Sequence, residues 1–169
     1  TATITAGTTQ SYTAQSFDQF NNLIANVTSS TTFSIVEAGH GGSWTANVYT
    51  SAKAGTWTVK GTYSGFTNTA SLNVNAAALD HIVISPDTST IQAGNNQAYT
   101  AQSFDQFNNL ISDVTGSTTF AIVETGDGGT WAGNIYTSAV AGTWTVRGSY
   151  NSLTDTASLS VTASSYIGI

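Results

Sequence analysis

Apolar and polar residues alternate with a period of two along much of the chain. In the segment TWTVKGTY, the side chains of Trp57, Val59 and Tyr63 fall on one face, and threonine and lysine side chains fall on the other. The pair Leu72 and Val74 continues the pattern, and both segments recur in the second half of the chain. Alternation of this kind is typical of half-buried strands in an antiparallel sheet. The sequence therefore predicts short strands and contains no convincing helix.

Turn-forming residues separate these strands. Glycine or asparagine occurs between the apolar runs at Gly7, Asn21, Asn22 and Gly55, and again in the run Gly39–Gly42. Such residues favour tight turns because they readily adopt left-handed backbone angles or bond to their own backbone. Short strands with turn signals about every ten residues predict a β-sandwich.

The strongest signal is an internal repeat. Residues 1–76 align without a gap with residues 88–163 at a constant offset of 87, and 52 of these 76 positions are identical. One copy has a plausible size for a single sandwich. We therefore predict module 1 at residues 1–76, module 2 at residues 77–163 and a C-terminal tail at residues 164–169.

Composition narrows the classes of function. The chain has 3 Lys and Arg against 9 Asp and Glu, a net charge of −6 and no Cys. So few cations make nucleic acid an unlikely partner, since its phosphates are bound through Lys and Arg. The lack of Cys excludes disulfides and Cys-ligated metals. No apolar run reaches the roughly 18 residues that predict a membrane span. The absence of a signal segment and the start at Thr1 are typical of a processed form or an excised fragment.

Five segments of the second copy resemble a known family. HIVISP, AYTAQSFDQFNN, TTF, AGTWTVRGSY and TASLSV are similar to bacterial and archaeal Ig-like (invasin/intimin-type) tandem repeat domains of surface-layer proteins, adhesins and extracellular filaments. The resemblance covers nearly the whole chain, and it implies an all-β fold of two tandem immunoglobulin-like antiparallel β-sandwiches. It also implies extracellular or cell-surface display, without a particular ligand. The chain departs from the family at Asn21 and Asn108, where glycine is usual.

The two copies differ in their first strand. Module 2 is preceded by an alternating apolar segment that suits a first strand, whereas Thr1 aligns with Thr88 and module 1 has no such segment. With a two-residue deletion, the tail matches that segment. The internal first strand consists of His81, Ile82, Val83 and Ile84, and the matching tail residues are Tyr166, Ile167, Gly168 and Ile169.

Two explanations of this offset remain open. In the first, the tail of one subunit completes module 1 of the next, which makes the chain the subunit of an extracellular filament assembled head-to-tail by β-strand complementation. Other copies of the chain are then its partners. In the second, the chain is a passive stalk segment cut from a longer repeat array. A carbohydrate- or surface-binding adhesin module, with surface glycans as partners, is a further alternative.

Candidate chemical sites are few. His40 and His81 lack the partners of a catalytic triad or zinc site, so we predict no catalytic residues, no enzyme activity and no cofactor. Asp18 and Asp105, beside paired asparagines, are weak candidates for Ca²⁺ ligands. Turn capping is the favoured interpretation of both. Glu124 with Asp127 is a weaker cation candidate, because His40 replaces the second carboxylate in copy one.

Aromatic and sequon residues give two further candidates. Trp44 and Trp131 follow glycine-rich loops, where exposed rings could stack on sugars, but tryptophan in a sandwich more often belongs to the core. Asn26 begins the sequon Asn26-Val27-Thr28, a candidate for glycosylation. Asp113 replaces this asparagine in copy two, which favours a chance match.

Overall fold

The computed structural model describes residues 1–165. They divide into two compact units. The first unit comprises Thr1–Ala78 together with the segment Gln106–Asn109, and the second comprises Leu79–Asp105 and the chain from Leu110 onward. The module boundaries drawn from the repeat stay a prediction.

The first unit contains nine strands and one short 3₁₀ turn at Thr28–Ser30. Its strands are β1 Ala2–Thr5, β2 Thr9–Ser11, β3 Gln15–Phe17, β4 Leu23–Asn26, β5 Thr32–Ile35, β6 Ser43–Thr45, β7 Val48–Thr50, β8 Gly55–Tyr63 and β9 Phe66–Asn75. They form sheets of order β1-β9-β8-β5, β2-β7-β6 and β3-β4.

The second unit contains ten strands and a 3₁₀ turn at Thr115–Ser117. Its strands are β10 Leu79–Ser85, β11 Thr88–Gln92, β12 Asn96–Ala98, β13 Thr100–Asp105, β14 Leu110–Asp113, β15 Thr119–Ile122, β16 Thr130–Ala132, β17 Ile135–Thr137, β18 Gly142–Tyr150 and β19 Leu153–Thr162. They form sheets of order β11-β19-β18-β15, β12-β17-β16 and β10-β13-β14.

The predicted all-β, immunoglobulin-like fold is confirmed. The buried face predicted from the period-two alternation is confirmed, because Val59 on β8 and Leu72 and Val74 on β9 are all buried. Most strand pairs are antiparallel, as predicted. The exception in each unit is the first strand of the larger sheet, which runs parallel to the last strand in the pairs β1/β9 and β11/β19.

An aromatic cluster forms the centre of each core. In the second unit, Tyr99 and Tyr136 are fully buried and Trp131 lies between them, with ring centroids 6.0 and 5.0 Å away. The counterpart rings in the first unit are Tyr12, Tyr49 and Trp44. Burial of rings this large accounts for much of the apolar area that stabilises a small sandwich.

Candidate functional site

The first unit has a groove of about 760 Å³ between its sheets. Its walls are mostly apolar, with backbone of β3 along one side. Hereafter this surface is the acceptor groove, and its principal lining residues are Tyr12, Ala14, Ser16, Phe17, Ile24, Phe33, Val59, Gly61, Tyr63, Phe66 and Ala70.

Strand β3 forms one edge of the acceptor groove. Among the described residues it pairs with β4 alone, in a two-stranded sheet. Its counterpart β13 pairs with β14 on one side and with β10 on the other. A strand edge without a neighbour presents backbone donors and acceptors that can bind another strand.

The second unit fills the same position with its own β10. In that strand Ile82 and Ile84 are 3% and 2% exposed, whereas Val83 between them is 43% exposed. The backbone of Ile84 lies opposite Ala101 of β13, and its N–H donates to the Asp155 carboxylate at 2.8 Å. The predicted first strand His81–Ile84 therefore lies in a filled version of the acceptor groove.

Burial of identical residues differs between the two units as a result. Ala101 and Ser103 of β13 are almost completely buried, while their counterparts Ala14 and Ser16 are only half-buried. The same holds for Ala157, which is buried, against the exposed Ala70.

Glycine marks the floor of both grooves. A methyl group added at Gly148 would lie 2.6 Å from Cγ2 of Ile84, which is too close for undistorted packing. At the counterpart Gly61 the nearest atom is Cγ2 of Thr31, at 3.2 Å. The lack of a side chain at Gly148 thus leaves room for the Ile84 side chain. Gly61 leaves the corresponding space in the first unit free of a side chain. The repeat comparison alone gave no reason to single out these glycines.

The tryptophans, for which a role as glycan platforms is the alternative to the favoured core interpretation, are partly buried and pack against the cores. Trp44 stacks on Phe33 with centroids 5.7 Å apart and an interplanar angle of 17°, and Trp131 stacks on Phe120 in the same way. Each ring therefore has one face covered by a phenylalanine. This packing favours the core interpretation of both residues.

His40 and Asp127 occupy equivalent positions and make equivalent contacts. Nδ1 of His40 lies 2.9 Å from the Tyr49 hydroxyl and accepts a hydrogen bond from the Gly42 N–H. Oδ2 of Asp127 accepts a hydrogen bond from the Tyr136 hydroxyl at 2.6 Å and another from the Gly129 N–H at 3.1 Å. Burial, reinforced by the bond to the Asp127 carboxylate, raises the pKa of Tyr136. Both side chains hold a core tyrosine in place.

The candidate calcium ligand Asp18 caps its own turn. Its carboxylate accepts hydrogen bonds from the backbone of Phe20 and from the backbone and side chain of Asn22, each at 2.8 Å. The bond from the Asn22 side chain is the largest cause that lowers the pKa of Asp18. Its counterpart Asp105 is fully buried. Within residues 1–165 no group of three His, Cys, Asp or Glu side chains is placed to hold a metal ion.

The other polar candidates also bond to nearby backbone. Glu124 accepts from the N–H and hydroxyl of Thr145, at 2.8 and 2.7 Å, and these bonds lower its pKa. Asn26 is exposed, and its side-chain oxygen accepts from the Thr28 N–H at 3.0 Å. His81 lies 3.0 Å from Asp80. The tail residues Tyr166–Ile169, predicted to form the strand-exchange interface, lie outside the described residues.

Within the immunoglobulin-like fold of the described residues, one strand position is filled by β10 and its counterpart is an open groove. A scan against protein-family models finds no match, and a search of curated proteins finds none either. No helix in the described part of the chain has the length and apolar character needed to cross a membrane.

Several solved structures are similar to this chain at low identity. Domains 1–6 of the surface-layer protein SbsC are 18% identical at a TM-score of 0.41; the match covers 89% of this chain and 23% of that one. Domains 5–6 of SbsC are 16% identical at 0.42, with 96% and 93% covered. The Escherichia coli adhesin FdeC is 18% identical at 0.48, with 95% and 60% covered. Similarity at this level supports no argument about function.

Proposed function

We propose that this chain is a non-enzymatic, extracellular structural protein, whose subunits assemble head-to-tail into a filament by β-strand complementation. The observation that carries the proposal is the acceptor groove of the first unit. It has the same glycine floor, the same apolar walls and the same strand edge as the position that β10 fills in the second unit.

The donor in this proposal is the tail Tyr166–Ile169 of another copy. By alignment, Ile167 and Ile169 correspond to Ile82 and Ile84, and Gly168 corresponds to Val83. The two buried isoleucines of β10 therefore have apolar counterparts in the donor, and the exposed valine corresponds to the residue without a side chain.

Energetics set a requirement on this assembly. Two buried isoleucine side chains contribute about 1.5–3 kcal/mol each. Association of two molecules costs several kcal/mol in lost translational and rotational freedom. A donor of four residues therefore does not stabilise a junction well by itself, and a second contact between subunits is needed.

A peptide experiment tests the groove independently of assembly. The test protein is the chain lacking Tyr166–Ile169, so that no tail competes, and the probe is a labelled peptide LDHIVISP, which has the sequence of residues 79–86. We expect saturable binding by fluorescence anisotropy. Gly61→Ala should weaken binding about tenfold, because the added methyl group would occupy the space that Ile84 takes at Gly148. The matched control peptide LDHDVDSP should not bind.

Electron microscopy of the intact chain then tests the filament. Filaments that disappear on deletion of Tyr166–Ile169, and also in Gly61→Ala, support the proposal. Peptide binding by a chain that stays monodisperse assigns the groove to some other strand and overturns the filament. Peptide binding of unchanged affinity in Gly61→Ala rules out the acceptor groove itself.

A further inference from the structure

The segment Gln106–Asn109 belongs to the first unit although it lies in the second repeat. The Asn109 side chain is 5% exposed and uses both ends of its amide. Its Nδ2 donates to the Ala52 carbonyl and its Oδ1 accepts from the Ala54 N–H, both at 2.8 Å. This pairing recognises backbone groups, so it depends on geometry more than on the side chains of the partner surface.

Phe107 covers the glycine beside these alanines. A methyl group added at Gly7 would lie 2.7 Å from Cζ of the Phe107 ring, so the ring fits there because residue 7 has no side chain. Gly7 has a φ of +85°, which also favours glycine. The first unit thus has a surface of Gly7, Ala52 and Ala54 that is covered by one phenylalanine and one asparagine.

Both halves of this contact recur in the repeat. The counterpart of Gln106–Asn109 is Gln19–Asn22, with an identical sequence; we refer to it as the docking segment. The counterpart of the covered surface is Gly94, Ala139 and Ala141 of the second unit, again identical in residue type; we refer to it as the socket.

The docking segment and the socket are both uncovered in the described residues. Phe20 is 75% exposed against 37% for Phe107, and Asn22 is exposed where Asn109 is buried. Nothing lies within 4 Å of a methyl group added at Gly94, and Ala139 and Ala141 are exposed where Ala52 and Ala54 are half-buried. A pocket of about 590 Å³ opens beside Gly94, lined by Thr90, Ile91, Gln92, Asn95, Asn96 and Thr162.

We infer that the docking segment of one copy of this chain binds the socket of another copy, with Phe20 over Gly94 and the Asn22 amide on the backbone of Ala139 and Ala141. The occupant is a second copy, because the identical segment covers the identical surface within the first unit. An exposed phenylalanine on one copy and an open pocket beside a glycine on another would also match the anchor-and-pocket pattern of protein interfaces. The inference rests on the proposed self-assembly, and it supplies the second contact that a short donor strand needs.

Photo-crosslinking tests the contact directly. Phe20 is replaced by p-benzoylphenylalanine, which keeps an aromatic ring, and the cross-linked peptides of the irradiated full chain are identified by mass spectrometry. We expect cross-linked dimers in which residue 20 of one copy joins residues 90–96 or 138–142 of another. Crosslinks to any other region, crosslinks within one copy, or no crosslink at the highest soluble concentration would overturn the inference.

A substitution separates this inference from the strand-complementation proposal. Phe20→Ser should lower the association constant of the subunits about tenfold, as loss of an aromatic anchor does. It should leave binding of the LDHIVISP peptide unchanged, because Phe20 does not line the acceptor groove. The control Val36→Ser, at a residue that is also exposed, should change neither quantity. Equal association by Phe20→Ser and the control contradicts the docking contact while leaving the groove proposal intact.

Discussion

The two units have nearly the same sequence and differ chiefly in one strand. Where β10 is present, Ala101 and Ser103 are excluded from water; where it has no counterpart, Ala14 and Ser16 line an open groove. Identical residues therefore reach different degrees of burial for a reason that lies outside their own segment. The comparison shows that the presence of a separate strand, rather than local sequence, decides whether this region is a buried core or an open groove.

The largest effect should come from truncating a buried side chain of β10. Ile84→Ala removes a side chain that is 2% exposed in β10, and such truncations cost about 2–5 kcal/mol. Hydrogen exchange followed peptide by peptide reports each unit separately, and protection should fall across the second unit alone. Val83→Ala, on the exposed face of the same strand, is the matched control and should change protection little. Equal effects of the two variants would mean that β10 is not held by core packing.

A glycine pair sharpens the comparison. Gly148→Ala forces a methyl group against Ile84 and should destabilise the second unit by about 1–3 kcal/mol, as overpacking does. In the chain lacking Tyr166–Ile169, Gly61→Ala should cost less stability than Gly148→Ala, because the nearest atom is a threonine methyl carbon at 3.2 Å rather than Ile84 at 2.6 Å. Chemical denaturation of both variants beside the parent chain measures the difference. If Gly61→Ala proves as costly as Gly148→Ala, the groove is already occupied.

A smaller difference should appear at the core tyrosines. Tyr136→Phe removes a hydroxyl that donates to the Asp127 carboxylate, and bonds to charged groups contribute about 1.5–3 kcal/mol. Tyr49→Phe removes the hydrogen bond with the His40 ring, and a typical hydrogen bond contributes about 1 kcal/mol. Tyr136→Phe should therefore lower the denaturation midpoint more than Tyr49→Phe does. The reverse order would show that the carboxylate and the imidazole do not play the same role.

The smallest expected effect is a change in how the stability of the second unit falls at low pH. Hydrogen bonds from Thr145 lower the pKa of Glu124 in the folded protein, so its charged form is favoured by folding. The stabilisation is fully present above the ordinary glutamate pKa of 4.5 and is lost as the pH falls through the lowered folded value. Glu124→Gln should flatten the loss of stability of the second unit below pH 4.5, measured by unfolding at stepwise lower pH. An unchanged acid profile would contradict this assignment.

Much of the fold could be predicted from the sequence because the signals are local or repeated. Alternation identifies the buried face at Leu72 and Val74, and the alignment offset identifies His81–Ile84 as a strand that module 1 lacks a match for. The tryptophans were also best interpreted as core residues, since one face of each stacks on a phenylalanine.

The rest could not be predicted, because it depends on contacts between distant positions. The alignment of the copies pairs His40 with Asp127, but the two side chains differ chemically. Nothing in the sequence therefore indicates that both bond to a core tyrosine nine residues further on. The hydrogen bonds of Asn109 reach residues 55 and 57 positions away. No periodicity in the sequence indicates such a pairing, and only the folded chain reveals its uncovered counterpart at Phe20.

The carboxylates of this protein bond mostly to backbone N–H and hydroxyl groups rather than to cations. Asp18, Glu37 and Glu124 all do so, and Asp80 with His81 is the one ion pair found in the described part of the chain. At about 0.1 M salt, attraction between exposed charges more than roughly 10 Å apart is largely screened. Because the described residues contain so few attractions of this kind, the stability of the fold should change little between dilute and concentrated salt.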